Sequence, residues 1–214
     1  MIDSWPTLVL NGKLRWTEEL AAIARSARPL LAADGGANAL ARLGLRPQSV
    51  IGDLDSISTP TRTWLGEARM IHRPDQERTD FEKALDYAFV ELCVARIKVL
   101  GALGSRADHT IGNLGVVAQQ ARGRDLVLRD DRQEILATAQ ALTLEALPGE
   151  IWSFWTFDPG VRVSIEGVRW PVENEVVNAG GRSSISNESV GDEVRVIPSG
   201  GAVMVCRNIR GNTR

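Results

Sequence analysis

At 214 residues, with 43% hydrophobic and 24% charged side chains, the chain can bury the core of one large domain or two modest ones. A formal net charge of −2 excludes a bulk nucleic-acid binder, which needs a clear basic excess against phosphate. With no apolar run of membrane-spanning length and no basic, apolar leader, the chain is expected to be cytoplasmic, without a membrane partner, and its Cys93 and Cys206 to be buried, reduced thiols.

From residue 7 to about 130, short apolar runs alternate with helical patterns. Strands are expected at residues 7–10, 29–33, 49–51, 68–71, 96–100 and 125–128, with helices at 17–27, 79–92 and 108–121. The helix at 79–92 has the clearest pattern: Phe81, Ala84, Leu85, Ala88, Phe89 and Leu92 recur at the spacing of one helical face. Repeated strand–helix units predict a parallel sheet with helices on both faces, an α/β domain over residues 1–132. After that the helical period fades, and β-like runs at 151–157, 161–165, 193–197 and 202–206 are punctuated by Gly and Asn. Residues 133–214 are therefore expected to form a small all-β sandwich domain.

In an open α/β sheet, ligands bind beyond the carboxyl ends of the strands, and this sequence places acids there. Asp34-Gly35-Gly36-Ala37-Asn38 follows the second run, Gly52-Asp53-Leu54-Asp55-Ser56 the third, and Gly101-Ala102-Leu103-Gly104-Ser105-Arg106-Ala107-Asp108-His109 the fifth. Two residues apart on an extended segment, Asp53 and Asp55 face the same side, where they repel unless a proton or cation lies between them. Histidines are confined to His72 and His109, so the pattern suits oxygen-ligated Mg²⁺; the alternative is a turn in which either acid caps the next segment. Asp80 lies within Thr79-Asp80-Phe81-Glu82, a capping box in which the helix dipole alone favours an acid. Only the other acidic strand ends make it a third metal ligand. The Gly101–His109 segment reads either as a turn offering N–H groups and a guanidinium to phosphate, or as a loop whose Asp108 caps a helix. No phosphate loop, dinucleotide fingerprint or nucleophile elbow occurs.

These motifs, in this order and spacing, resemble the thiamine pyrophosphokinases. The resemblance rests on Asp34–Asn38, Gly52–Ser56, Thr79-Asp80-Phe81-Glu82-Lys83-Ala84-Leu85 and Gly104–His109, joined by Ser186-Asn187-Glu188 ahead of a final strand pair. It implies pyrophosphoryl transfer from ATP to the hydroxyl of thiamine, giving thiamine diphosphate and AMP, by a homodimer with thiamine near the subunit interface. It further implies that Asp53, Asp55 and Asp80 hold Mg²⁺. Thr79, Arg106 and Asp108 would address the ATP phosphates, and Asp34, Gly35, Gly36, Asn38, Gly104 and His109 would belong to the nucleotide site. Asp80 or Asp108 would accept the hydroxyl proton, and Gln76, Ser186 and Asn187 would contact thiamine. Two positions depart from the family pattern, Ser105 for a common Gly and Gly112 for a common Ala, and Met204 stands where some relatives place a stacking ring. A pyrophosphokinase acting on a pterin alcohol and a non-catalytic nucleotide or thiamine sensor are the rival readings.

Overall fold

The computed structural model describes residues 4–66, 69–104, 106–178, 181–182 and 184–209. Contacts divide the chain into two compact units, one running to Asn113 and including Leu128–Asp131, the other holding Leu114–Val127 and everything from Arg132.

The first unit is built on the parallel strands β1 (Thr7–Val9), β2 (Leu30–Ala33), β3 (Ser49–Gly52), β4 (Arg69–His72) and β5 (Arg96–Leu100), in the order β5-β1-β2-β3-β4. Register sets Val9 beside Ala32 and Leu100, and Ala32 beside Val50. These side chains join one buried cluster with Leu20 and Ala24 of α1 (Glu18–Ser26), Ala37 and Leu40 of α2 (Gly36–Arg42) and Leu65 of α3 (Thr59–Leu65). Because side chains alternate along a strand, Leu8, Leu31 and Ser49 point the other way. There the Ser49 hydroxyl meets the Tyr87 hydroxyl at 3.2 Å. Tyr87 opens a π-helical turn (Tyr87–Glu91) that continues α4 (Asp80–Asp86). Helices therefore cover both faces, as the alternating pattern predicts. The single helix expected over 79–92 is interrupted, since the ladder widens at Tyr87, which the apolar spacing does not reveal.

The second unit is antiparallel. One sheet is ordered β12-β9-β14-β7, from β12 (Ser184–Glu188), β9 (Ile151–Trp155), β14 (Val203–Asn208) and β7 (Gln133–Thr138); the other is β11-β10-β13-β8, from β11 (Val172–Val176), β10 (Arg162–Glu166), β13 (Glu193–Ser199) and β8 (Leu142–Glu145). Trp152, Phe154, Val203 and Val205 from the first pack with Val163, Ile165, Val194 and Val196 from the second in one buried cluster, making a sandwich. Two elements span the boundary between the units in sequence: α5 (Ala107–Gln120) and β6 (Asp125–Arg129).

Four strands escape the apolar pattern, β7, β8, β11 and β12. In β11 and β12 the sequences Val-Glu-Asn-Glu-Val and Ser-Ile-Ser-Asn-Glu are polar because these strands lie at sheet edges and are half solvated. The expectation of two buried thiols holds for Cys206 only; Cys93 is exposed, and neither forms a disulfide among the described residues. Among the described residues, no helix is long and apolar enough to cross a membrane.

Candidate active site

The carboxyl ends of β1, β2, β3 and β5 open on a cleft of about 550 Å³ in the first unit. Its lining includes Asp34, Asp53, Gln76, Thr79 and Asp80 together with Arg106, His109 and Asn113. Strand order explains the location: β1 sends its successor to one side and β5 lies on the other, and such a switch point leaves a crevice between the two loops. In that crevice, the Leu10–Gly12 turn is tied to the β5 loop by Gly12 N–H donating to the Gly101 carbonyl at 2.9 Å.

Three carboxylates converge. Asp34, Asp53 and Asp80 each place an oxygen within 4.8 Å of the others. Asp34 follows β2 in a left-handed conformation with φ of 40°, and Gly52 ends β3 with φ of 146°. A Cβ on Gly52 would stand 3.0 Å from both the Asp34 Cβ and an Asp80 carboxylate oxygen, so glycine is what lets these acids close together. Asp80 is the first residue of α4, behind a complete capping box in which Thr79 accepts from the Glu82 N–H and Glu82 accepts from the Thr79 N–H. The capping and metal readings are thus not exclusive: the cap fixes the turn, and the turn aims Asp80.

Asp55 does not join the group. Its expected alignment with Asp53 requires an extended segment, but Leu54 between them has φ of 66°. The reversal turns the Asp55 N–H back onto the Asp53 carboxylate at 3.3 Å, and the Asp55 carboxylate accepts from the Ser56 hydroxyl at 2.9 Å. Asp34, read from the sequence as a nucleotide-loop residue, takes that place.

The electrostatics follow from burial. Asp34 is only 5% exposed, and desolvation pushes its carboxyl pKa up, against the hydrogen bonds from Ser56 and Gly35. Asp53 goes the other way, held down chiefly by the Asp55 N–H and further by Gln76, which donates to it at 3.4 Å. One buried cation answers the three acids: Lys83, one turn along α4, sits 3.3 Å from Asp80. With all three ionised, two negative charges remain uncompensated in this group. A set of hard oxygen donors without Cys or His and with that residual charge fits a divalent cation of the Mg²⁺ type. Sequence reasoning misses Lys83; its spacing of three from Asp80 is the available signal.

Also lining the cleft, Arg106 grips Asp108 in a two-pronged pair, Nε to Oδ1 at 3.1 Å and Nη2 to Oδ2 at 2.5 Å. This guanidinium, with the His109 N–H, lowers the Asp108 carboxyl to about 2. Asn113 donates to the Ala102 carbonyl at 2.7 Å, pinning α5 to the β5 loop.

Several other expected site residues have partners within the fold. A Cβ on Gly36 would lie 2.1 Å from the Val9 carbonyl oxygen, and one on Gly35 would strike the Asn11 carboxamide. Both glycines therefore serve close packing of α2 against the β1 end. Gly104 takes φ of 82° in its turn, and Ser105 lies outside the described residues. In the second unit Asn187 is 2% exposed and its carboxamide is fully engaged: it donates to the Trp170 carbonyl and Ser184 hydroxyl and accepts from the Trp170 and Glu188 N–H groups. It braces β12 rather than offering a free amide. Neighbouring Ser186 is exposed, in a left-handed conformation with φ of 58°. Met204 is fully buried and presents no surface for stacking.

Comparison with known proteins decides the family. Residues 20–128 match the family model described as "Thiamin pyrophosphokinase, catalytic domain", and residues 142–201 match "Thiamin pyrophosphokinase, vitamin B1 binding domain". The chain belongs to the thiamine pyrophosphokinase family. Thiamine pyrophosphokinase 1 of Arabidopsis thaliana is 30% identical over 190 residues, covering 73% of this chain and 69% of the relative. Thiamine pyrophosphokinase 1 of Oryza sativa subsp. japonica is 28% identical over 198 residues, covering 79% of this chain and 75% of the relative. In fold, the crystal structure of thiamine pyrophosphokinase from Bacillus subtilis superposes with a TM-score of 0.83 at 23% identity, covering 96% of this chain and 99% of that one.

Proposed function

We propose that this thiamine pyrophosphokinase family member is an enzyme that moves the pyrophosphoryl group of ATP to the primary hydroxyl of thiamine, releasing AMP, in a cytoplasmic homodimer. The observation that carries the chemistry is the convergence of Asp34, Asp53 and Asp80 at the strand ends, with the buried Lys83 ammonium against Asp80. Those three acids would hold Mg²⁺, which supplies charge neutralisation to the phosphate oxygens when bound. Such transfers depend on positioning and charge more than on covalent catalysis.

The chain's own groups then divide the work. The thiamine hydroxyl oxygen bonds to the β-phosphorus of ATP as the bond from that phosphorus to the α,β-bridging oxygen breaks, and AMP leaves with that oxygen. Arg106, kept oriented by Asp108 and lining the same cleft as the acids, presents its guanidinium to the transferring group. The hydroxyl proton passes to Asp80. Asp108 is a weak base because Arg106 depresses its pKa to about 2. Gln76, tied to Asp53, and the exposed Ser186 turn address thiamine.

The test is an assay with ATP, Mg²⁺ and thiamine, separating products by chromatography. Equal amounts of AMP and thiamine diphosphate, abolished by EDTA, are expected. AMP formation only with a hydroxymethylpterin, or ligand binding with no AMP, would overturn the assignment. A further expectation concerns pH. A carboxylate with a folded pKa near 2 is ionised at every pH above about 4, so Asp108 contributes no proton to an activity profile in the neutral range. Asp108→Asn should therefore lower the rate by freeing Arg106 while leaving the acid limb where it stands. A displaced acid limb would return the proton-acceptor role to Asp108.

A further inference from the structure

Asn38 does not line the cleft, yet its side chain is tied into the loop that does. From the first turn of α2 its carboxamide nitrogen donates to the Ser56 carbonyl at 2.8 Å, and its oxygen accepts from the Ser58 N–H at 3.0 Å. One peptide away, the Ser56 N–H donates to the Asp34 carboxylate at 3.3 Å. The same loop carries Asp53, and its reversal at Leu54 is held by Arg62 of α3, which donates to the Leu54 carbonyl at 2.5 Å. Residues 53–58 thus form an irregular segment with one end in the acidic group and its outer face clamped by two side chains from α2 and α3.

We propose that Asn38 is a positioning residue for the divalent-cation site, a clamp that fixes the 56–58 backbone so that the Ser56 N–H holds Asp34 at the right distance from Asp53 and Asp80. The inference rests on the metal reading given above and extends it to a residue that does not line the cleft. The physical reason is the cost of keeping three carboxylates within 4.8 Å before a cation arrives. Mutual repulsion drives them apart, and Asp34 can yield only by breaking its bond to Ser56, which Asn38 prevents from moving. Residues of this kind, one bond behind the ligands, typically account for about 10–100-fold in metal affinity.

The experiment measures Mn²⁺ affinity of the full chain without nucleotide, by titration of the free-ion electron paramagnetic resonance signal, together with the Mg²⁺ concentration for half-maximal activity. Asn38→Ala should weaken Mn²⁺ binding about tenfold and raise the Mg²⁺ midpoint similarly, with kcat recovering at saturating Mg²⁺. Asn38→Asp separates the clamp from simple electrostatics. It keeps the acceptor for Ser58 but sets a carboxylate against the Ser56 carbonyl, so the clamp predicts weaker Mn²⁺ binding, whereas an added negative charge alone predicts tighter binding. Thr17→Ala removes the N-cap of α1, a residue that does not line the cleft, and should lower Tm without moving either metal readout. Unchanged Mn²⁺ affinity in Asn38→Ala, or tighter binding in Asn38→Asp, overturns the proposal. A wild-type chain that binds Mn²⁺ but forms no thiamine diphosphate would defeat the functional reading and leave the clamp standing.

Discussion

Asp53→Asn should reduce thiamine diphosphate formation by about 10²–10³-fold or more at saturating substrates, while Tm stays within a few degrees of the wild type. The substitution is isosteric: the amide oxygen can still accept from the Asp55 N–H, and the amide nitrogen can donate to Gln76 once that carboxamide turns its oxygen inward, so the loop is still held. What disappears is one of the three charges that make the group attractive to a cation. Asp53 is readier than Asp34 to act as a carboxylate, because its pKa is lowered, chiefly by the Asp55 N–H, while that of Asp34 is raised by burial. The fold is indifferent to this charge. Removing like-charge repulsion from a metal-free group should even raise the apo Tm slightly, and Mg²⁺ should no longer stabilise the protein against heat as it does the wild type. Near-normal turnover in Asp53→Asn would show that the three-acid group is not where the cation works.

The second large effect is on stability. Gly36→Ala should destabilise by about 3 kcal/mol, a Tm loss near 10 °C for a chain of this size. The added methyl would lie 2.1 Å from the Val9 carbonyl oxygen, and the obstacle is backbone, not a side chain that could swing away. Val9 is in β1, held by β2 on one side and β5 on the other, so α2 must retreat and carry Ala37 and Leu40 out of the core cluster. Gly115→Ala is the matching control. It lies in α5 with nothing within 4 Å of where the added methyl would stand, and alanine there should be neutral or stabilising by up to about 1 kcal/mol. A Gly36→Ala protein with unchanged Tm and weak ATP binding would instead make that glycine a nucleotide contact.

Much of the first unit is readable in the chain because a parallel sheet buried on both faces needs continuous apolar strands, as at Leu30-Leu31-Ala32-Ala33. The acids at the strand ends are legible for the same reason: they interrupt those runs abruptly. What fails is inference through irregular backbone. The pairing of Asp53 with Asp55 assumes alternation that Leu54 breaks, and the admission of Asp34 depends on a fold-back that no spacing encodes. Asn38 and Asn187 look like ligand amides in sequence, yet each ties its carboxamide to backbone 17–20 positions away, and Asn187 bonds Ser184 and Glu188 nearby as well. An amide that cross-links loops and an amide that awaits a ligand have the same letter code, and only the partners distinguish them. The polar edge strands β11 and β12 are hidden by the same kind of degeneracy, since solvated strands share the composition of loops.

Asp34, Leu54 and Ser186 share a property with consequences for anyone who engineers this chain. Each is a non-glycine residue in left-handed backbone, and each lies in or beside a segment assigned to ligand. Such conformations disfavour the folded state by about 1 kcal/mol or more apiece, so glycine at any of them is a plausible gain in a screen scored on heat resistance alone. A library selected that way would climb toward proteins that are tougher and chemically silent, Asp34→Gly above all. Directed evolution of a thermostable variant therefore needs turnover as a co-selected trait from its first round, with these three codons held fixed.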